Sequence, residues 1–284
     1  MIQKYIKRKV PFYTLYPTQS NWEKINNNEN FNSYLEKIIK SNSQLSMYLH
    51  FPFCPKQCYF CHCYTVISRK EDHYDKISSS IIKELELLFN AARRFGKKLK
   101  ITDIHFGGGT PTVIPEQKFE KIIQTIKENI DSDALKEIAL EVDPRNDMNS
   151  EKLLKYSFYG VNRISLGIQD FDKDVQKAVN RINDYELIDN LLNKKVRETF
   201  DSINFDFIFG LPKQTKKSLE TTTKKIVSLK PSRITILNMD HRPEIYRHQN
   251  AYKEIDLPTD ELKIQMYELC TNILILNNYQ KIGV

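Results

Sequence analysis

The order of strand-like and helix-like segments constrains the fold of this chain more than any other feature. Six short runs rich in β-branched and aromatic residues are bounded by turn residues or charges, as β-strands are. Longer segments with helical periodicity separate them. A chain that alternates in this way forms parallel strands joined by right-handed crossovers, so the sequence predicts an α/β fold. The predicted strands are Ser46–Phe51, Ile101–Phe106, Glu137–Val142, Val161–Ile168, Ser202–Ile208 and Arg233–Leu237.

Two of the segments outside the strands show the helical pattern clearly. After the first strand, one apolar stripe at three- and four-residue spacing is formed by Ile77, Ile81, Leu85, Leu88 and Phe89. Near the end of the chain, Thr259 is placed to cap a helix, and acidic residues follow in the first turn, where they suit the helix dipole. The spacing in this second segment predicts a core-facing stripe of Leu262, Met266, Leu269, Ile273 and Leu276.

Polar and glycine-rich features follow the predicted strands. A cysteine cluster follows the first strand and residues 107–112 follow the second, while the later strands end at Glu141, Asp143, Gln169, Asp170, Asp206, Gly210 and Asn238. In parallel α/β folds, functional sites gather at the carboxyl ends of the strands. The sequence therefore predicts one site at this edge. The pattern alone does not distinguish a barrel-like sheet from an open doubly wound one.

Composition and charge narrow the class of protein. Of the 284 residues, 40% are hydrophobic and 28% are charged, which is typical of a globular protein. No apolar run is long enough to span a membrane, and the basic start lacks the apolar stretch of a signal peptide. The net charge of +7 fits nucleic acid or an anionic small molecule, but the intermixed acids favour an ordinary solvated surface. We expect a cytoplasmic protein that binds neither membrane nor nucleic acid.

Four of the five cysteines lie within ten residues, at positions 54, 58, 61 and 63, whereas Cys270 has the context of an ordinary buried thiol. So tight a group favours a metal or cluster site over disulfides. Three interpretations stay open from the residues: a four-cysteine zinc site, an electron-transfer cluster with Cys63 as fourth ligand, and a catalytic cluster with one open iron. The spacing favours the catalytic cluster, held by Cys54, Cys58 and Cys61.

The Cys-x3-Cys-x2-Cys spacing resembles the signature of the radical S-adenosylmethionine (SAM) superfamily. The fuller string from Tyr48 through Cys63 is similar to the oxygen-independent coproporphyrinogen III oxidases, which share the extra Cys-x-Cys step. Two later strings strengthen the resemblance, namely Gln169-Asp-Phe followed by Val179-Asn-Arg181, and Gly210-Leu-Pro-Lys-Gln-Thr215. The resemblance covers nearly the whole chain and implies a partial (β/α)6 TIM-like barrel of the radical SAM type.

The resemblance also implies which residues hold the cofactors. Cys54, Cys58 and Cys61 would bind three irons of a [4Fe–4S] cluster, and the fourth iron would bind SAM. The glycine run would contact the methionine end of SAM, and position 240 would face a second SAM molecule. The SAM-binding residues implied in this way are Tyr48, Phe60, His62, Gly108, Gly109, Thr110, Glu141, Gln169, Arg181, Asp206 and Asp240.

The sequence departs from the family pattern in several places. Phe12 stands where the family usually has an arginine, His62 replaces a glycine and Asp240 replaces a small residue. Family members also continue beyond residue 284 into a mostly helical domain. We expect residues 1–45 to form an N-terminal arm, residues 46–284 to form the catalytic partial barrel, and the C-terminal helical domain to be absent.

The activity implied by the resemblance is an oxidative decarboxylation in anaerobic haem biosynthesis. A SAM-derived radical would convert two propionate side chains of coproporphyrinogen III into vinyl groups, giving protoporphyrinogen IX. The resemblance also implies a reducing electron donor of the flavodoxin or ferredoxin type, and we expect a monomer. A radical-SAM-like haem chaperone, against which Cys63 argues, a truncated inactive homologue and a zinc-stabilised protein without catalytic activity stay open as alternatives.

Overall fold

A parallel sheet forms the centre of the computed structural model, which describes residues 28–145 and 148–283. In these residues the strands are β1 (Gln44–Phe51), β2 (Phe53–Cys54), β3 (Val66–Ile67), β4 (Lys100–Gly108), β5 (Glu137–Val142), β6 (Arg163–Gln169), β7 (Ser202–Phe209) and β8 (Arg233–Asn238). The large sheet has six strands in the order β1-β4-β5-β6-β7-β8, and each neighbouring pair is parallel. The predicted α/β alternation is therefore confirmed.

Helices connect the strands and pack on the sheet. Within the described residues they are α1 (Asn28–Ser41), α2 (Glu71–Arg94), α3 (Glu116–Asn129), α4 (Ser150–Phe158), α5 (Lys173–Ala178), α6 (Tyr185–Leu191), α7 (Lys194–Thr199), α8 (Lys216–Ser228) and α9 (Asp260–Leu276). None of these helices is long and apolar enough to cross a membrane. The segment predicted as an arm, residues 1–45, contains α1 and the start of β1. Its first 27 residues, Phe12 included, lie outside the described residues.

The two faces of the sheet differ in chemistry. Along β7, Ile203, Phe205 and Phe207 belong to the hydrophobic core, while Asn204 and Asp206 alternate with them on the opposite face. Aromatic and β-branched side chains favour such a pleated, buried surface, which explains why this run is a strand. The polar residues are consequently carried on the face that the core does not use.

The strand register places polar residues of neighbouring strands side by side. Tyr48 of β1 is opposite His105 of β4, Glu141 of β5 is opposite Ser165 of β6, and Ser165 is opposite Asn204 of β7. Parallel strands all end at the same edge of a sheet. The residues that come directly after these strands therefore lie close together at that edge.

The stripe predicted for the segment after the first strand is confirmed in α2. Ile81, Leu85 and Phe89 are buried, and Ile77 and Leu88 pack against the same core. The charges at its ends also match the helix dipole, with Glu71 and Asp72 in the first turn and Arg93 and Arg94 in the last. Helical periodicity alone was sufficient to place this element.

The prediction for α9 is confirmed at its start and, for the buried face, at Met266 but not at Leu276. Thr259 caps the helix, since its side chain accepts a hydrogen bond from the N–H of Leu262 at 3.3 Å. The fully buried residues of α9 are Met266, Cys270 and Leu274, whereas Leu276 of the predicted stripe is 82% exposed. Apolar residues occur around this helix, so its packing against α8, where Thr223 Oγ1 lies 3.3 Å from Cys270 Sγ, decides which face is buried.

We expect Phe119→Ala in α3 to lower the free energy of unfolding by about 3–5 kcal/mol, the usual cost of truncating a buried aromatic residue. Phe119 is fully buried, and its ring centroid lies 4.8 Å from that of Phe106 and 4.9 Å from that of Tyr156. The matched control is Phe158→Ala, because Phe158 is 83% exposed. Urea titrations would measure both, and equal losses in the two variants would contradict this account of the core.

Candidate radical SAM site

A cavity of about 730 Å³ opens where the strands of the large sheet end. Loops after β2, β4, β5 and β6 and the ends of β7 and β8 contribute its walls, so the strand ends meet at one place, as the sequence predicted. Of the predicted site residues, those that line this central cavity are Cys54, Cys58, Phe60, Cys61, His62, Gly108, Gly109, Thr110, Glu141, Gln169, Arg181, Asp206 and Asp240.

The cysteine loop runs from β2 to β3, and backbone hydrogen bonds hold it in place. Ser68 N donates to Cys54 O at 3.0 Å, and Tyr59 N donates to Val179 O at 3.0 Å. The first bond closes the loop on itself and the second ties it to the end of α5. No disulfide involves the three predicted ligands, Cys54, Cys58 and Cys61, and all three line the central cavity.

The three thiols do not converge in the way that the ligands of a single metal ion do. Among residues 28–145 and 148–283, no three Cys, His, Asp or Glu side chains converge as the ligands of one metal ion do. A cubane binds each thiolate through a different iron, so its ligands need only surround one space. Burial raises the pKa of Cys54 to about 11, although the hydrogen bond with Thr110 acts in the opposite direction. Cys54 is therefore neutral near pH 7, and iron binding would release its proton.

Two arginines reach the buried sulfur of Cys58. Arg145 Nη2 donates to Cys58 Sγ at 3.3 Å, and Arg181 Nη1 donates to it at 3.5 Å. Both arginines also pair with Asp143, at 2.7 and 3.3 Å. Burial alone would raise the pKa of Asp143, but the two guanidinium charges and the hydrogen bonds from Arg145 outweigh it and lower the pKa to about 2. Asp143 is consequently ionised and stabilises both cations beside the sulfur.

The glycine run after β4 packs directly on the start of the cysteine loop. Gly109 N donates to Phe51 O at 2.7 Å, and Thr110 N donates to Phe53 O at 2.9 Å. A Cβ on Gly109 would lie 2.7 Å from Phe53 O, closer than side chains permit, so this approach requires glycine. Gly108 has a φ of +115°, which side-chain-bearing residues rarely adopt. The glycines therefore allow the chain after β4 to pack closely on the cysteine loop, and Gly108 and Gly109 form part of the cavity wall.

Glu141 lies at the end of β5 beside the glycine run. His105 Nε2 lies 2.9 Å from its Oε1, and Gly108 N donates to its Oε2 at 3.2 Å. Tyr48 is not among the described residues that line the cavity. Its ring stacks on His105 with the centroids 5.6 Å apart, and burial together with the charge of Glu141 raises the pKa of Tyr48 to about 12. Tyr48 thus borders the site through His105 and Glu141.

Gln169 has a backbone conformation that aims its side chain into the cavity. Its φ of +67° lies in the left-handed region, and the register between β6 and β7 shifts between Gly167 and Gln169. In the described part of the chain, Gln169 Oε1 and Arg181 Nε are buried without a hydrogen-bond partner. Both residues also line the cavity, so a polar ligand there would meet side chains whose hydrogen-bonding capacity is not fully used.

The two carboxylates on the β7 and β8 side have different partners. Asp206 accepts hydrogen bonds from Ser165 Oγ and Asn204 Nδ2, both at 2.8 Å. Burial raises the pKa of Asp206, and these bonds act in the opposite direction. Asp240 pairs with Arg242 at 2.7 Å. The Asp206 carboxylate is therefore held in a fixed orientation, whereas the charge of Asp240 is compensated within its own loop.

The segment after β8 covers the far side of the cysteine loop. His62 stacks on Tyr246 with centroids 4.1 Å apart and an angle of 9° between the rings, and Gln249 Nε2 lies 2.8 Å from His62 Nε2. His248 Nε2 lies 2.7 Å from the carbonyl oxygen of Cys61. This segment was not predicted, because no spacing or composition connects it to a loop almost two hundred residues earlier.

Arg145 was not predicted as a site residue either. It follows β5 directly, two positions after Asp143, so its place at a strand end was a usable signal. The pairing of Asp143 with Arg181 carried no such signal, since the two are brought together only by the β5–β6 crossover.

The model of the radical SAM superfamily matches residues 48–226, which is most of the chain. This chain therefore belongs to the radical SAM superfamily. The matched span includes the cysteine loop, the glycine run, Glu141, Gln169, Arg181 and Asp206, whereas Asp240 lies beyond it.

Its relatives include oxygen-independent coproporphyrinogen III oxidases. The chain is 36% identical over 287 residues to that of Escherichia coli K12 and 34% identical over 279 residues to that of Helicobacter pylori J99. These matches cover 100% and 96% of this chain but 60% of each relative, so the chain spans about 60% of the length of these curated relatives.

A solved structure gives the same result for the fold. The E. coli coproporphyrinogen III oxidase, described as a radical SAM enzyme, superposes with a TM-score of 0.86 at 34% identity, over 96% of this chain and 61% of that one. The predicted partial barrel of the radical SAM type is thereby confirmed.

The superfamily uses a [4Fe–4S] cluster and SAM, and the residues of the central cavity fit both. Three thiols that are free of disulfides border it, as a cluster with one open iron requires. Gln169 and Arg181 line the same cavity, and each has one side-chain atom, Oε1 and Nε, without a hydrogen-bond partner among the described residues. The glycine run packs so closely on the cysteine loop that a Cβ would collide with it, and this packing keeps Gly108 and Gly109 in the cavity wall beside the cysteines.

We expect Gly109→Ala to lower the free energy of unfolding by about 1–3 kcal/mol, the typical cost of forcing an extra carbon into a packed site. The added Cβ would overlap the carbonyl oxygens of Phe51 and Phe53 and push the glycine run away from the cysteine loop. Gly283→Ala is the control, because a Cβ there meets nothing within 4 Å. If urea unfolding gives both variants the stability of the parent chain, the close approach is not a constraint.

Proposed function

We propose that this chain is a radical SAM oxidoreductase that acts on coproporphyrinogen III in oxygen-independent haem biosynthesis. The observation that carries the proposal is the meeting of three cysteines, a glycine run and the unpartnered Gln169–Arg181 pair at one cavity. The chain that carries them is 36% identical along its whole length to a coproporphyrinogen III oxidase. The reaction would convert two propionate side chains to vinyl groups and give protoporphyrinogen IX.

Cys54, Cys58 and Cys61 are the proposed ligands of the cluster, because their thiols share the cavity and none is in a disulfide. When bound, the cluster and SAM supply a one-electron reduction that is converted into hydrogen-atom abstraction from the substrate. The chain itself contributes orientation. Arg145 and Arg181 fix the sulfur of Cys58, and Thr110 Oγ1 lies 3.4 Å from Cys54 Sγ.

The proposed SAM site uses the polar groups that face the cavity. Gln169 and Arg181 have an acceptor and a donor to offer, and the carboxylates of Glu141 and Asp206 suit ammonium or ribose hydroxyl groups. Glu141 and Asp206 are each held by hydrogen bonds from neighbouring strands, so they meet a ligand already oriented. The remaining proposed contacts are Tyr48, Phe60, His62, Gly108, Gly109, Thr110 and Asp240.

The proposed reaction balances for each propionate group. One hydrogen atom leaves the carbon β to the carboxylate, the bond to the carboxylate carbon breaks, and carbon dioxide and one electron depart. The two remaining side-chain carbons form a vinyl group, and a one-electron acceptor takes the electron. A substrate with four carboxylates is compatible with a chain of net charge +7.

The partners follow from the same chemistry. An electron must reach the cluster from a low-potential protein, and we propose a flavodoxin or ferredoxin. We further propose that the chain acts as a monomer in the cytoplasm, without binding to membrane or nucleic acid. Size-exclusion chromatography of the purified chain tests whether it is a monomer. Fractionation of cells that express it tests whether it is in the cytoplasm.

Anaerobic reconstitution tests the cluster ligands. We expect the parent chain to bind about four irons and four acid-labile sulfides, the content of one cubane. Cys54→Ala, Cys58→Ala and Cys61→Ala each remove one ligand and should lose most of both. Cys270→Ala is the control, since Cys270 is fully buried beside α8 and away from the cavity. Zinc without sulfide in the parent chain, or a cluster in a chain that combines all three substitutions, would refute the assignment.

The same reconstituted chain tests the reaction. SAM cleavage together with vinyl-bearing porphyrinogen, detected by mass spectrometry after incubation with coproporphyrinogen III, would support the proposed function. SAM cleavage without any decarboxylated product would refute coproporphyrinogen III as the substrate, but it would still support a radical SAM reaction. Stoichiometric haem binding without SAM cleavage would indicate a haem carrier instead.

We expect Gln169→Ala to raise the Kd for SAM about tenfold, because losing one buried hydrogen bond costs about 1–1.5 kcal/mol. Isothermal titration of the reconstituted chain with SAM measures it. The control is Gln124→Ala on the exposed surface of α3, where the side chain bonds only Glu120 at 3.2 Å. An unchanged Kd in Gln169→Ala would exclude this side chain from the SAM site.

A further inference from the structure

Arg145 is not among the residues proposed to bind SAM, yet its guanidinium joins three parts of the molecule. Nε and Nη2 donate to the two oxygens of Asp143, at 2.9 and 2.7 Å. Nη1 donates to the carbonyl oxygen of Asn180 at 3.2 Å, and Nη2 also donates to Cys58 Sγ at 3.3 Å. The group therefore ties the end of β5 to the cysteine loop and to the turn after α5.

The surroundings of this guanidinium fix its position. Its pairing with Asp143 is bidentate, which sets the plane of the group as well as its distance. The side chain of Arg145 is 11% exposed and Cys58 is 8% exposed, so little water screens the charge from the sulfur. Asn180, whose carbonyl Arg145 binds, in turn donates from Nδ2 to the carbonyl oxygen of Gln57 at 2.8 Å. The hydrogen bonds thus form one connected network around Cys58.

A positive charge and N–H donors at a cluster sulfur have a predictable effect. Reduction of a cluster adds one negative charge, which is spread partly onto the cysteine sulfurs. Hydrogen bonds to those sulfurs and nearby cations stabilise the reduced form, so they raise the reduction potential. A donor that is buried and held in place exerts this effect without having to reorganise when the electron arrives.

We infer that Arg145 is a positioning residue for the cluster, which holds the Cys58 sulfur and raises the midpoint potential of the first reduction. Asp143 keeps the guanidinium in place from the opposite side. The inference rests on the proposed assignment of Cys58 as an iron ligand and is independent of the substrate. It gives the Leu140-Glu-Val-Asp-Pro-Arg145 string a second role besides that of Glu141.

Redox titration of the reconstituted full chain, followed by electron paramagnetic resonance, tests the inference without any assay of turnover. We expect Arg145→Met to reduce the equilibrium constant for reduction about tenfold, which lowers the midpoint potential by about 59 mV for one electron. Arg145→Lys keeps the positive charge but loses the planar guanidinium and its several N–H donors. The midpoint potential of this variant should therefore lie between those of the parent chain and Arg145→Met. Iron–sulfur stretching frequencies in resonance Raman spectra should rise in Arg145→Met, because the hydrogen bond to sulfur is lost.

Arg163→Met is the matched control. Arg163 also forms an ion pair, with Glu137 at 2.7 Å, but this pair is more exposed and lies at the other end of β5 and β6, away from the cysteines. Its potential should equal that of the parent chain.

The possible outcomes distinguish a failure of the proposed function from a failure of the inference about Arg145. A parent chain that binds no cluster refutes the proposed function. A parent chain that loads normally while Arg145→Met keeps its potential refutes this inference alone. If Arg145→Met folds but does not load iron, Arg145→Lys decides, and a potential equal to that of the parent chain would refute the inference.

Discussion

The parallel hydrogen-bonded register of six strands is the constraint on which the rest of the molecule depends. Each strand runs in the same direction, so every carboxyl end faces the same space, and residues far apart in sequence become neighbours there. Glu141 and Ser165 are paired across β5 and β6, and Gly167 and Asp206 across β6 and β7, by backbone bonds alone. The helices on the other face supply the apolar burial that keeps this register.

The buried charges at the cavity are paired with charges of opposite sign, which lowers the cost of burying them. Asp143 would be costly to bury alone, and so would Arg145 and Arg181, but together they form a network with one anion between two cations. The second cation leaves the network positive, and that surplus lies against the sulfur of Cys58. Asp206 differs from these residues, because its carboxylate is oriented by the neutral donors Ser165 and Asn204 while burial raises its pKa.

The fold and most of the cavity could be predicted from the hydrophobic periodicity of the chain and from the polar residues that follow the strands. The six strands and α2 follow from local patterns, because each buries a face that its own spacing defines. The glycine run and the cysteines lie next to strands and could be placed by topology. Leu276 was wrongly assigned to the core, since a helix with apolar residues on several faces is oriented by its neighbours. The stacking of Tyr246 on His62 was not predictable, because it joins loops that no local rule relates.

The sheet is a partial barrel, and in the described residues β1 and β8 are its two edges without a strand between them. A closed barrel admits ligands only through its mouth, and its interior is filled by side chains. Within the described residues, the polar face of the sheet is therefore not closed off between β1 and β8. A sheet that does not close on itself can be approached from its edges as well as from its strand ends, so the fold does not restrict a ligand to the width of a barrel mouth.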